Sequence, residues 1–181
     1  MQRPTRYLTE AALVAALYYV LTALVFQPIS FAIGQIRVAE ALMLLPALIP
    51  AATPGLFLGC LLANLLNPMS LGPVDIVLGS FATLVAALAV QKLGRRLRPA
   101  STKLSWSSLK LWLLPLPTIG VNALVVGSYL PFLLTKEAVT PGVLLFSIAS
   151  VAFGETLSCY ILGVPLLMGL RHIPVHREVT R

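Results

Sequence analysis

Polar side chains are few in this chain, and seven of them fall inside or beside long apolar runs. They are Gln35, Arg37, Glu40, Asn64, Asp75, Asn122 and Glu155. Carboxylates accept hydrogen bonds, a guanidinium donates them, and carboxamides do both, so this set suits recognition of a small polar molecule. Catalysis has less support. The chain has no Walker A sequence, no GxSxG and no HExxH, so no nucleotide hydrolysis or metalloprotease chemistry is encoded in a familiar form. His172 and His176 are four residues apart but flank Pro174 in a polar tail, which spoils a helical metal-ligand pair. Cys60 and Cys159 stand apart in apolar runs and read as small core residues. No catalytic residue, metal site or cofactor is therefore expected.

The elements that must position these groups follow from composition. Of 181 residues, 58% are hydrophobic and only 10% are charged. Soluble domains carry about 25% charged residues, so most of this chain must have lipid as its solvent. Such hydrophobicity also excludes intrinsic disorder. The first apolar run is too long for a cleaved signal and reads as a retained helix.

A spanning helix needs about 20 apolar residues, somewhat fewer where the bilayer thins. Six segments qualify: residues 8–30, 39–52, 54–66, 74–93, 109–134 and 141–170. The second and third are separated near Ala51 to Gly55, because Pro46, Pro50 and Pro54 cannot all lie in one helix. The expected architecture is all-α: one integral membrane domain, 1–181, a compact bundle of six transmembrane helices with both termini cytoplasmic.

Charge supports that count. With six spans, Arg3, Arg6, Lys92, Arg95, Arg96, Arg98, Lys103, Lys110, Arg171, Arg177 and Arg181 lie on the cytoplasmic side. Only Arg37 and Lys136 of the 13 basic residues are left outside, as the positive-inside rule requires. The net charge of +7 is thereby accounted for by topology, and nucleic acid is not an expected partner. Trp106 and Trp112 fall at the inner interface, where amphipathic rings prefer to sit.

On this topology Gln35, Arg37, Glu40, Asn64 and Asp75 lie toward the outer face, with Asn122 and Glu155 near mid-membrane. An ionisable group at the bilayer centre costs at least ~2.5–3.5 kcal/mol and usually has a function. Glu155 and Asn122 therefore rank first as ligand contacts. The plainer alternative is an internal ion-pair network, such as Arg37 with Glu40 or Asp75. On the first helix, Ala11, Ala12, Ala15 and Ala16 form two overlapping small-xxx-small pairs. Such a face admits a partner helix or packs inside the bundle. Gly55 and Gly59 make a GxxxG on the third helix.

Several longer motifs carry a family resemblance. They are Gly34-Gln35-Ile36-Arg37-Val38-Ala39-Glu40, Pro54-Gly55-Leu56-Phe57-Leu58-Gly59-Cys60, Ala63-Asn64-Leu65, Asp75-Ile76-Val77-Leu78-Gly79-Ser80 and Phe153-Gly154-Glu155. In combination they resemble the QueT family, queuosine-precursor S components of energy-coupling factor (ECF) transporters. The resemblance implies a six-helix membrane subunit of the cell membrane that binds a 7-deazaguanine base or nucleoside from outside. It implies docking on a transmembrane coupling protein carrying two ATPase subunits, through an Ala-x-x-x-Ala face that Ala11/Ala15 or Ala12/Ala16 match. A guanine-like edge presents two adjacent donors that one carboxylate accepts together. An aminomethyl substituent would be cationic and favour a second carboxylate. Arg37 would repel that cation unless a carboxylate pairs with it. Three other readings remain open on sequence: an S component for a different vitamin-like ligand, a membrane-embedded enzyme, and an assembly subunit with no ligand.

Overall fold

The computed structural model describes residues 4–25, 37–67, 71–97, 106, 108–134 and 138–170. Gln35, Lys136, the loop residues Arg98 and Lys103, and the tail with His172, His176 and three arginines lie outside the described residues, as does Arg3.

All regular structure among the described residues is helical. Helix α1 spans Pro4–Val25, α4 Asp75–Leu97, α5 Leu109–Leu134 and α6 Pro141–Leu170, and these four are long and apolar enough to cross a membrane. Two shorter apolar helices, α2 (Val38–Ala47) and α3 (Ala52–Leu66), stand between α1 and α4 in the chain.

Helix α2 ends at Ala47, five residues before the expected boundary at residue 52, and α3 begins at Ala52, two residues before the expected 54. The chain leaves helical conformation at Ile49, the residue before Pro50, where the proline ring disfavours the helical region. Pro54 is tolerated within the first turn of α3, whose amides have no earlier carbonyl to bond. Helix α5 turns at Leu114 and Pro115 before resuming at Leu116. At the start of α6, the Thr140 hydroxyl accepts from the Val143 amide and Pro141 takes a first-turn position, a well-formed helix entry.

Helix α2 is the axis of the molecule. Every residue from Ala39 to Pro46 is buried, and the helix packs against both α4 and the middle of α6. It is wound as a 3-10 helix over its whole length, although such runs rarely exceed four residues. At about 2.0 Å rise per residue the tighter coil reaches farther than an α-helix of equal length. Three residues per turn also stack Arg37, Glu40 and Met43 in one row.

Around this axis, α1 lies on α3 and α5 lies on α6. The first contact is made by small residues. A Cβ on Gly59 would stand 2.7 Å from Tyr18 Cβ and 2.8 Å from the Ala15 carbonyl oxygen, and one on Gly55 would meet the Ala11 carbonyl. No side chain other than hydrogen fits there. The apolar core continues through α2 and the ends of α5 and α6 (Leu44, Leu111, Leu114, Val164, Leu167).

The outside is as apolar as the inside. Only 33% of the most apolar stretch of α1 is buried within the protein, and Leu13, Leu124, Phe132, Leu145 and Phe146 all stand exposed. So much exposed apolar surface is incompatible with water as the sole solvent. At the start of α5, Trp112 stacks on Tyr160, accepts its hydroxyl at the backbone (2.8 Å) and donates Nε1 to the Trp106 carbonyl (3.0 Å). Both tryptophans are exposed beside Lys110, an arrangement suited to a lipid–water boundary.

Candidate functional site

Each of the six helices sends at least one polar side chain into the same buried region. Tyr18 comes from α1, Arg37 and Glu40 from the start of α2, and Asn64 from α3. Asp75 begins α4, Asn122 and Tyr129 lie on α5, and Glu155 on α6. Relative exposure is 1% for Glu40, 0% for Asn64 and Asp75, 3% for Asn122, 5% for Arg37 and 6% for Glu155. Polar groups so deeply buried need partners, because each unsatisfied one forfeits its hydration.

Local geometry brings them together. Asn122 and Tyr129 are two helical turns apart and share a face of α5. Asp75, Gly79 and Thr83 follow one another at four-residue spacing on α4. Three helices depart from α geometry beside a site residue. Widened π-type turns begin at Val20 after Tyr18, cover Asp75–Gly79, and begin at Leu157 after Glu155. With the 3-10 winding around Glu40, the irregular backbone is concentrated at the polar cluster. Such departures are common at functional sites and are tolerated in membrane helices where protein surrounds them.

The bonds form two linked groups. In the first, the Tyr18 hydroxyl donates to Glu40 Oε1 (2.5 Å). Asn122 Nδ2 donates to Glu155 Oε1 (2.9 Å) and, at 3.4 Å, to Glu40 Oε2. One amide thus bridges two carboxylates. In the second group, the Tyr129 hydroxyl donates to Asp75 Oδ1 (2.6 Å), and Arg37 Nη2 stands 3.9 Å from the same oxygen. Asn64 Nδ2 donates to the Asp75 carbonyl (3.2 Å), tying α3 to the start of α4. Gly79 forms part of the wall: a Cβ there would lie 3.1–3.2 Å from Asn64 Nδ2, the Tyr129 hydroxyl and Asp75 Oδ1. Nearby, Thr83 donates to Cys60 Sγ (3.3 Å) and Cys159 to the Glu40 carbonyl (3.6 Å). Both cysteines are buried and free.

Four acceptor atoms of the cluster have no hydrogen-bond partner among the described residues: Asn64 Oδ1, Asp75 Oδ2, Asn122 Oδ1 and Glu155 Oε2. They belong to four different helices. Each is a buried acceptor open to a further donor, the complement of a ligand rich in N–H groups. No set of three His, Cys, Asp or Glu side chains among the described residues could hold a metal ion.

Arg37, Glu40, Asn64, Asp75, Asn122 and Glu155, scattered over more than 110 positions of sequence, therefore meet in one cluster. Within it Arg37 faces Asp75, one of the two pairings the ion-pair reading named. Sequence reasoning overlooked Tyr18 and Tyr129. Their signal was periodic: Tyr18 continues the inward stripe of Ala11 and Ala15, and Tyr129 repeats Asn122 after seven residues. The alanines of α1 separate into two faces. Ala11 and Ala15 are buried against α3, whereas Ala12 and Ala16 are exposed.

The model of one protein family, described as QueT transporter, matches residues 8–172. That match covers α2–α6 and all but the first residues of α1, and so every polar residue of the cluster. No curated protein and no solved structure matches the chain.

Proposed function

The chain belongs to the QueT transporter family, and from that premise we propose that it is the substrate-binding S component of an ECF transporter. On this reading it captures a queuosine precursor, a 7-deazaguanine base or nucleoside, from outside the cell. The observation that carries the reading is the buried cluster with its four unpartnered acceptor atoms. A guanine-like base offers an N1–H and an exocyclic amine side by side, and in the free base N9–H adds one further donor. Those donors complement carboxylate and carboxamide oxygens held in fixed positions by the bundle. Glu155 and Asn122 are the leading contacts, supported by Glu40, Asn64, Asp75 and Arg37, and Gln35, which lies outside the described residues, is a further candidate.

In this proposal α2 and α3 cross the membrane together with the four long helices, both termini are cytoplasmic, and the protein resides in the cell membrane. Energy comes from two ATPase subunits on a transmembrane coupling protein. Docking uses close helix–helix contact, because lipid supplies no hydrophobic drive between helices. The exposed Ala12/Ala16 face of α1 is free to make that contact, whereas Ala11 and Ala15 are occupied by α3.

Native mass spectrometry of the detergent-purified protein tests the reading. A retained or added 7-deazaguanine base should bind with one-to-one stoichiometry. Absence of binding by both base and nucleoside, with another vitamin-like molecule retained, would move the protein to a different ligand class.

A further inference from the structure

The basic residues differ in how the protein compensates them. Arg6 pairs with Glu10 at 2.8 Å, and Arg37 stands at Asp75. Glu40 and Glu155 are committed to the buried cluster, so no acidic side chain among the described residues is left over. Lys92, Arg95 and Arg96 at the end of α4, and Lys110 at the start of α5, form no ion pair among the described residues. The sequence supplies no acidic residue between Asp75 and Glu137. Leu93 and Leu97 pack in one apolar cluster with Leu111 and Leu114, which brings the four cations to the same end of the molecule. Arg95 and Arg96 lie in the last turn of α4, where basic groups complement the helix dipole. Lys92 lies a turn earlier, and the dipole does not account for it.

The face that Lys92 continues does. Phe81, Val85, Leu88, Lys92, Arg95 and Arg96 recur at spacings of three and four, and so share one face of α4. All six are exposed. Helix α4 therefore turns to the lipid an apolar track that ends in three cations. At a rise of about 1.5 Å per residue, the track from Phe81 to Lys92 covers about 16 Å, roughly half of the ~30 Å hydrocarbon core and so the depth of one leaflet. Trp106 and Trp112, exposed beside Lys110, set the cationic end at the lipid–water boundary.

We propose that this face of α4 binds an anionic phospholipid, with an acyl chain along Phe81, Val85 and Leu88 and the phosphate held by Lys92, Arg95 and Arg96. Guanidinium forks match phosphate oxygens in pairs, and Lys110 adds to the attraction from α5. A zwitterionic lipid brings the same chains but also a cation of its own, which these residues repel. On the proposed topology the lipid belongs to the cytoplasmic leaflet, where basic residues beside a spanning helix attract anionic headgroups. The site lies on a different helix from the Ala12/Ala16 face, and it is independent of the molecule that the polar cluster takes.

The test is native mass spectrometry of the full chain in detergent, with equimolar phosphatidylglycerol and phosphatidylcholine of identical acyl chains. Each Lys or Arg near an anionic headgroup contributes about fivefold in affinity, so the wild-type protein should retain phosphatidylglycerol about tenfold or more over phosphatidylcholine. Arg96→Gln should lower that ratio about fivefold, and the combined Lys92→Gln, Arg95→Gln and Arg96→Gln variant should bring it near one. Arg6→Gln removes one charge of the same sign from another helix and should leave the ratio unchanged. Glycerol 1-phosphate at the lipid's concentration should displace nothing, because it lacks the chains. A second readout is thermal unfolding: phosphatidylglycerol should raise the wild-type temperature more than phosphatidylcholine does, and the difference should vanish in the triple variant. Equal retention of the two lipids by the wild type, a ratio that survives the triple variant, an equal fall with Arg6→Gln, or displacement by glycerol 1-phosphate each overturns the site. Those outcomes leave the S-component reading untouched, since no deazaguanine enters the experiment.

Discussion

Two tyrosine hydroxyls make the buried carboxylates tenable. Tyr129 donates to Asp75 at 2.6 Å and Tyr18 to Glu40 at 2.5 Å, each with its ring packed in the apolar core. Tyr129→Phe keeps that packing and removes only the donor, so its effect isolates the hydrogen bond. A bond to a charged group contributes about 1.5–3 kcal/mol, and thermal unfolding in detergent should register a loss of that order. Asn122→Ala acts differently, since it removes the bridge between Glu40 and Glu155 together with a free acceptor. Affinity for the deazaguanine base should fall about tenfold or more by calorimetry, the equivalent of a single good hydrogen bond. Unchanged affinity in a folded Asn122→Ala protein would take Asn122 out of the site. The six charged and carboxamide members were legible in sequence because lipid makes such groups conspicuous. The tyrosines were not, because an amphipathic ring is ordinary at membrane interfaces and in cores alike.

At the level of elements, α1 stands between the polar cluster and the outside of the molecule. Its inner stripe, Ala11, Ala15 and Tyr18, is pressed onto Gly55 and Gly59 of α3. Gly59→Ala would place a methyl group within 2.8 Å of the Ala15 carbonyl and force α1 outward, carrying Tyr18 away from Glu40. Overpacking of this kind costs about 1–3 kcal/mol. The variant should therefore lose thermal stability and ligand affinity together. The outer stripe behaves oppositely under the proposed docking. Ala12→Trp or Ala16→Trp should leave ligand affinity of the isolated protein near wild type, yet abolish copurification with the coupling protein and uptake by cells. Full uptake by both tryptophan variants would mean that this face contacts only lipid. Ala11→Trp and Ala15→Trp should instead damage folding, because those positions are filled by α3. The existence of two alanine pairs was evident from spacing. Which pair faces inward was not, since it depends on where the glycines of α3 come to rest. The 3-10 winding of α2 was also unreadable, because its composition suits an α-helix equally well.

For the whole molecule, the asymmetry of basic residues makes a direct prediction. Reporter fusions after residue 98 and at the C-terminus should read cytoplasmic, and a fusion near Lys136 should read external. An external signal at the C-terminus would require an odd number of spans and would dismantle the proposed topology. Apolar composition by itself determined that this chain has lipid as its solvent, that its elements are helices, and roughly where most of them begin and end. That follows because a bilayer forces every spanning segment to satisfy its own backbone and to hide its charges. The same cost of burying charge marked Arg37, Glu40, Asn64, Asp75, Asn122 and Glu155 as exceptional. Only the tertiary structure decided how they pair. Asp75 meets Arg37 and Tyr129, while Glu40 meets Tyr18 and, through Asn122, Glu155. Those partners are up to 115 residues apart in the chain. Their pairing depends on how helices rotate about their axes and how closely small residues let them approach. Neither quantity is a property of any single segment.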